Sequence, residues 1–305
     1  MPNLFRSQSA APWSPFLMGG LVAFWDSIQT EKFTIVSGAI SAWTPIIGSA
    51  TATQATSSKR PVSSARNGRS AVSFDGTDDF LSLDDSSFPV NGDACTMGVV
   101  GYVDAAAGTT LARRLFSYGA ASPTTSPRAL RLSYSSPNLR PALVAGTASG
   151  AVVVDATGTD QIMVGRFPTG SQKRLSSNGT DANATTATCA TTAGNAAIGA
   201  LGDGTVPFYG LINCVLLTNG FSSNSETRKF EGWAAWRYNM SASLLPASHP
   251  FRGLRPMASA DEIERFMDER LSLQWSDQFD LDQATKLYTP VRRLIVPDGG
   301  WRVAA

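Results

Sequence analysis

The chain is poor in the residues that most enzymes rely on. It has one histidine and three cysteines in 305 residues. A lone imidazole excludes histidine-rich metal centres. A Ser–His–Asp or Cys–His mechanism would have to use His249. That residue sits between Pro246 and Pro250, within the proline-rich linker Leu244 to Pro256, so a turn or packing role is expected. The cysteines, Cys95, Cys189 and Cys214, are odd in number and form no C-x-x-C pair. They fit neither a disulfide framework nor a zinc site. Cys95 in CTMGVV and Cys214 in LINCVLL read as buried thiols that behave as small apolar residues. Charge is scarce too: 16% of residues, with 25 basic and 24 acidic side chains and no long run of one sign. A nucleic-acid surface needs clustered Lys and Arg, so nucleic acid is not an expected partner. No apolar run approaches the roughly 20 residues of a membrane helix. The first twenty residues lack the pattern of a secretory signal, so synthesis and assembly in a cytoplasm are expected. G-x-S-x-G, phosphate-loop and H-E-x-x-H patterns are all missing.

What is abundant is turn chemistry between short apolar runs. There are 27 glycines and 17 prolines. Strands are predicted at Leu21–Asp26, Ala71–Phe74, Phe80–Leu83, Thr96–Val103, Arg114–Tyr118 and Leu130–Tyr134. More are predicted at Ala151–Asp155, Gln161–Gly165, Lys173–Ser177, Ala196–Ile198 and Phe208–Leu217. Asp75-Gly76 and Asn178-Gly179 are tight-turn dipeptides. Short strands spaced by such turns, without alternating helices, predict an all-β antiparallel sandwich. Two helices are expected. One opens with the capping box Ser223-x-x-Glu226 and carries Phe230, Trp233, Ala234 and Arg237 at helical spacing. The other starts at Ser259, with Glu262 three residues on and Ile263, Phe266, Met267, Arg270 and Leu271 on one face. Leu287–Pro297 reads as a further strand, confined by Pro290 to an edge or a strand start. The expected organisation is an N-terminal arm (1–19), a sandwich domain (20–251) and a C-terminal docking extension (252–305) with a helix and a strand.

Candidate chemistry centres on carboxylates. Asp75, Asp78 and Asp79 fall in one turn, with Asp84 and Asp85 beyond. Loop carboxylates are the ligands calcium prefers, while Asp is also a good turn former in its own right. No Glu lies in a recognisable glycosidase context. No catalytic residue is assigned, and calcium at the aspartates is the one cofactor considered. Trp13, Trp25, Trp43, Tyr102, Tyr118 and Tyr134 could stack on sugars, but their strand-like surroundings make core packing the default.

The order of these elements resembles the laminin-G-like, concanavalin-A-like jelly-roll domains of tailed-bacteriophage virion proteins. The resemblance spans roughly residues 20–251. It is carried by LVAFWD, KRP (Lys59–Pro61), FDGTDDFL, RLSSNGT (Arg174–Thr180), the IGA and FYGLI pair, EGWAAWRY (Glu231–Tyr238) and LPASHPF (Leu245–Phe251). It implies a jelly roll and a non-enzymatic structural component of a virion, in the head decoration, collar, tail or fibre base. Such a protein would assemble in the host bacterial cytoplasm. Its terminal segments would bind other virion proteins and copies of itself. The alternative is a glycan-binding, lectin-like receptor or host-surface adhesion module. A polysaccharide hydrolase is the third reading.

Overall fold

The computed structural model describes residues 11–107, 112–119, 127–135, 138–145, 148–151, 155–170, 172–186, 191–259, 261–263, 265, 294–295 and 301–302. Two compact units are present, Met1–Ser259 and Ala260–Ala305. In chain order the first unit contains β1 (Leu21–Asp26), β2 (Phe33–Val36), β3 (Ala39–Trp43), β4 (Ala52–Thr53), β5 (Val62–Arg66), β6 (Arg69–Asp75) and β7 (Leu81–Asp84). These are followed by β8 (Cys95–Val103), β9 (Arg113–Tyr118), β10 (Arg128–Ser135), β11 (Asn138–Ala145), β12 (Ala148–Ala151) and β13 (Asp160–Phe167). The last elements are β14 (Lys173–Ser177), β15 (Thr180–Thr185), β16 (Asn195–Ile198), β17 (Tyr209–Thr218) and helix α1 (Asn224–Arg237).

The protein is an all-β antiparallel sandwich, as the turn spacing predicts. One face runs β12-β11-β10-β9-β16-β7, continuing through β4 and β3 to β2. The other is built on β17, flanked by β8 on one side and by β1 and β6 on the other, and extends through β13 and β14 to β15. Between them lies a core that includes Trp25, Trp43, Phe74, Met97, Val99, Phe116, Leu130, Leu143, Met163 and Val215. Strand alternation sorts the side chains. In β8, Met97 and Val99 enter this core, while Gly98 lies against Phe230 of the helix. The second layer therefore has both faces covered, which is why β8 and β17 are almost continuously buried.

The capping box forms as expected: Ser223 Oγ accepts from the Glu226 amide, and the Glu226 carboxylate accepts from the Ser223 amide. Phe230 and Trp233 stack and, with Phe24, seat α1 on the sheet. Residues 11–18 also belong to this unit. Trp13 is fully buried, Phe16 packs edge-on against Phe24, and the Trp13 amide donates to the Pro256 carbonyl while the Ala258 amide donates to the Ala11 carbonyl.

In the first unit six described strands fall outside the sequence expectations, β2, β3, β4, β5, β11 and β15, and in the second Trp301–Arg302 does. Ser37-Gly38 and Asn67-Gly68 adopt positive φ at both positions, as Asn178-Gly179 does, and close the hairpins β2–β3 and β5–β6. In the second unit, Leu294–Ile295 (β18) pairs with Trp301–Arg302 (β19). Residues 261–263 and 265 are helical, and the rest of the expected second helix lies outside the described residues, as does most of Leu287–Pro297. Cys189, the side chain of Tyr134 and residues 152–154 of the expected strand Ala151–Asp155 also lie outside them. Among the described residues no helix is long and apolar enough to cross a membrane.

Candidate functional site

Three of the quoted motifs converge on one buried polar cluster beneath α1. Glu231, in the second turn of the helix, is fully buried. Its Oε1 accepts from Ser176 Oγ on β14 and from the Gly179 amide (3.2 Å) in the Asn178-Gly179 turn. Its Oε2 accepts from Arg228 Nη1 at 2.8 Å and from His249 Nε2 at 3.0 Å. The His249 tautomer follows from its other nitrogen. Nδ1 accepts the Phe251 amide at 3.2 Å, so the ring proton resides on Nε2 and points at the carboxylate. Arg228 continues outward to Asp181 on β15. Burial pushes the Glu231 carboxyl upward, but the His249 hydrogen bond, the Arg228 charge and the Ser176 hydroxyl outweigh it and hold it below the ordinary glutamate value.

Ser, His and an acid thus meet, but in the wrong order for nucleophilic catalysis. A triad needs the imidazole between hydroxyl and carboxylate, so that the base can take the hydroxyl proton. Here the carboxylate lies in the middle and each partner donates to it. Ser176 and Glu231 are fully buried and His249 is 6% exposed, so neither hydroxyl nor ring faces a substrate. The arrangement is a clamp that ties the helix, the β14–β15 hairpin and the exit segment together. His249 has the turn and packing role expected of it: it is buried, and its amide donates to the Pro246 carbonyl at 2.9 Å, which makes this part of the proline-rich linker a turn.

A second clamp holds the other end of α1. Asp26, at the end of β1 and 2% exposed, accepts from Arg237 Nη2 at 2.9 Å and Nε at 3.2 Å, from Tyr238 OH at 2.9 Å and from the Ile28 amide at 3.0 Å. Burial, then the Asp26 charge and Cys214 beside it, push the Tyr238 phenol well above its usual range. Burial also raises the Cys214 thiol strongly. Cys95 and Cys214 are buried, as expected, and Cys95 Sγ accepts from Arg128 Nη1 at 3.0 Å. Nothing in the sequence marks Asp26 beyond its place after an apolar run.

The expected calcium candidates are brought together. One carboxylate oxygen from each of Asp75, Asp78 and Asp79 lies within 4.8 Å of the others. Much of their acceptor capacity is engaged locally. Asp75 Oδ1 accepts from the Thr77 and Asp78 amides, and Asp79 Oδ2 accepts from the Asp75 amide at 3.1 Å. Burial first, then the neighbouring Asp75 and Asp78 charges, raise the Asp79 carboxyl to about 6, against the lowering effect of the Asp75 amide. Three side-chain oxygens fall short of the six to eight that calcium takes, so a bound cation would need carbonyls or water as well. Arg113 holds the same turn from outside, donating to the carbonyls of Gly76 (2.8 Å), Pro207 (3.1 Å) and Ala107 (2.9 Å). Gly199 is required nearby: its φ is +86°, and a Cβ would lie 2.2 Å from the Phe74 ring.

Of the candidate stacking aromatics, Trp13, Trp25, Trp43 and Tyr118 are buried. The Arg66 guanidinium covers Tyr102 at 3.8 Å. A further aromatic, quoted above only within EGWAAWRY, lies at the surface of α1. Trp236 is 46% exposed and borders a depression of about 260 Å³ with Arg69, Asn239 and Leu254. Arg255 stacks on its ring at 3.9 Å.

No protein-family model and no curated protein matches the chain. Solved structures do. A sialidase from Trypanosoma rangeli in complex with sialic acid aligns with a TM-score of 0.53 at 15% identity, over 77% of this chain and 37% of the sialidase. A second structure of Trypanosoma rangeli sialidase aligns at 0.50 and 13% identity, over 77% and 36%. Domain 4 of AbnA, an extracellular arabinanase of Geobacillus stearothermophilus in complex with arabinotriose, aligns at 0.49 and 15% identity, over 68% and 96%. The chain spans little more than a third of the length of the sialidases. At these identities the likeness concerns the fold.

Proposed function

We propose that the chain is a non-catalytic structural component of a phage virion, a rigid sandwich block held in place through the segments at its two ends. One observation carries the non-catalytic part. The hydroxyl, carboxylate and imidazole that could do chemistry, Ser176, Glu231 and His249, are buried, bonded to one another and ordered with the carboxylate at the centre. The virion role rests on the motif resemblance, whose quoted residues supply both clamps. It is supported by the pairing of Ala11–Trp13 with Pro256–Ala258, which brings the chain into the sandwich and out of it at one place. Electron microscopy and light scattering of the full chain test the proposal, together with its detection in purified particles. Ordered oligomers or incorporation into particles are expected. A monomer that is absent from particles overturns the virion role, and turnover of a fluorogenic sialoside or of arabinan overturns the non-catalytic part.

A second reading, glycan binding, is favoured by the exposed Trp236 beside Asn239 and Arg69. An aromatic face with neighbouring hydrogen-bonding groups suits a sugar ring, and the sialidase and arabinanase likenesses make carbohydrate the natural class to try. A glycan array with and without calcium tests it, and silence in both conditions removes it.

A further inference from the structure

Two adjacent arginines in β9 each have a buried Nε without a hydrogen-bond partner, but differ in the rest of the guanidinium. Arg113 is bonded to three carbonyls. Arg114 has two buried guanidinium nitrogens, Nε and Nη1, with no hydrogen-bond partner. The strand register places Arg114 directly opposite Arg131 of β10. On its other side Arg131 faces Ala142 of β11, which carries no group that could pair with it, and Arg140 lies one position on, opposite Ser133. Leu130 and Leu132 belong to the core, so Arg131 between them and Ser133 just after them project from the opposite face of the sheet. Arg131 is held in place by two hydroxyls: Nε donates to Ser133 Oγ at 3.1 Å and Nη2 to Ser149 Oγ at 2.9 Å. Neither Arg114 nor Arg131 forms an ion pair among the described residues.

This arrangement is unfavourable on its own terms. Like charges directly opposite in a ladder repel, and buried donors without acceptors carry a desolvation penalty. Burial, and then Arg131, lower the Arg114 guanidinium to about 10, with Asp203 acting in the other direction. A third feature adjoins the pair. Val206, a β-branched residue, is held at φ +56°, and its carbonyl accepts the Arg114 amide at 3.3 Å. Such outliers concentrate where a site imposes geometry. A two-oxygen anion at the pair would cancel the repulsion between Arg114 and Arg131 and find the hydroxyls of Ser133 and Ser149 already positioned.

We propose that Arg114 and Arg131, with Ser133 and Ser149, form a binding site for an oxyanion, presented as the carboxylate of a sugar acid or as an inorganic oxyanion. The test titrates the purified full chain at low ionic strength with glucuronate, glucose and inorganic sulfate, by calorimetry and thermal shift. Glucuronate and glucose differ only in the carboxylate. Binding of glucuronate or sulfate without glucose is expected, and the stronger of the two identifies the source. Arg114→Met should weaken that binding about tenfold or more, while the ligand-free variant melts at or above the wild-type temperature because a buried unpaired charge has been removed. Three results overturn the proposal: no oxyanion binding by the wild type, binding unchanged in Arg114→Met, or a ligand-free Arg114→Met chain that melts well below the wild type, which would make the residue structural.

Discussion

The two sides of the sandwich use charge in opposite ways. Beneath α1, Glu231 and Asp26 are buried and each oxygen has a partner. On the β9–β10 face, Arg114 and Arg131 sit opposite one another; among the described residues two hydroxyls bond the Arg131 guanidinium, and Nε and Nη1 of Arg114 have no partner. The first pattern is that of a joint. Removing one member of a buried, satisfied set strands the rest, so such sets resist change. The second pattern is that of a surface left incomplete by the chain itself. The contrast separates residues that hold the fold from residues free to meet something else, and mutation can test that separation.

The largest effect is expected at Glu231. Glu231→Ala leaves Ser176, His249 and the Gly179 amide without their acceptor and Arg228 with one of its two carboxylates, and should cost about 3–5 kcal/mol in urea unfolding. A loss below about 1 kcal/mol would show that water replaces the carboxylate and that the node is no joint. The pH dependence has a defined sign. The folded carboxyl lies below its ordinary value of 4.5, so its stabilisation is present above that pH and lost as the pH falls below it. Wild type and Glu231→Gln should therefore converge in acid.

Asp26 comes next. Its partner Arg237 is 23% exposed, so water partly screens the pair, and Asp26→Asn keeps two acceptor sites on its remaining oxygen. A cost of about 1–3 kcal/mol is expected. Arg237→Met combined with Asp26→Asn should be less harmful than the sum of the two, since each removes the same interaction. Strict additivity would break the clamp interpretation.

The architecture was legible where local chemistry and tertiary role agree. The Ser223–Glu226 box, the Asn178-Gly179 turn and the apolar runs of β8 and β17 each declare their conformation within a few residues. Legibility failed where a strand carries little apolar signal. β5 (VSSAR) and β15 (TDANAT) are largely exposed, so alternation is faint. β11 contains Pro141, which reads as a breaker, yet it lies just beyond the described part of the β12 ladder. Asn67-Gly68 carries the same turn signal as Asn178-Gly179 and announces a hairpin whose first strand is β5. The site was less legible for a different reason. Ser176, Glu231 and His249 are separated by 55 and 18 residues along the chain, and no local pattern encodes their meeting. Arg114 and Arg131 become a pair only through the register of β9 on β10.

The smallest expected effect lies in the Asp75–Asp79 turn, which falls between the two extremes: its carboxylates are engaged by amides yet remain crowded. The folded Asp79 carboxyl titrates at about 6 against an ordinary 3.8. The folded chain therefore binds the proton more tightly than the unfolded chain, and stability should decline as the pH rises from about 4 to about 6. Solvent around the turn limits the change to on the order of 1 kcal/mol. Asp79→Asn should remove that slope and raise the melting temperature at neutral pH. Calcium then divides the two meanings of the cluster. If the three carboxylates hold a cation, calcium raises the melting temperature of the wild type at neutral pH and leaves Asp79→Asn unmoved. If they serve the turn alone, calcium shifts neither chain, and Asp79→Asn is the more stable of the two at every calcium concentration.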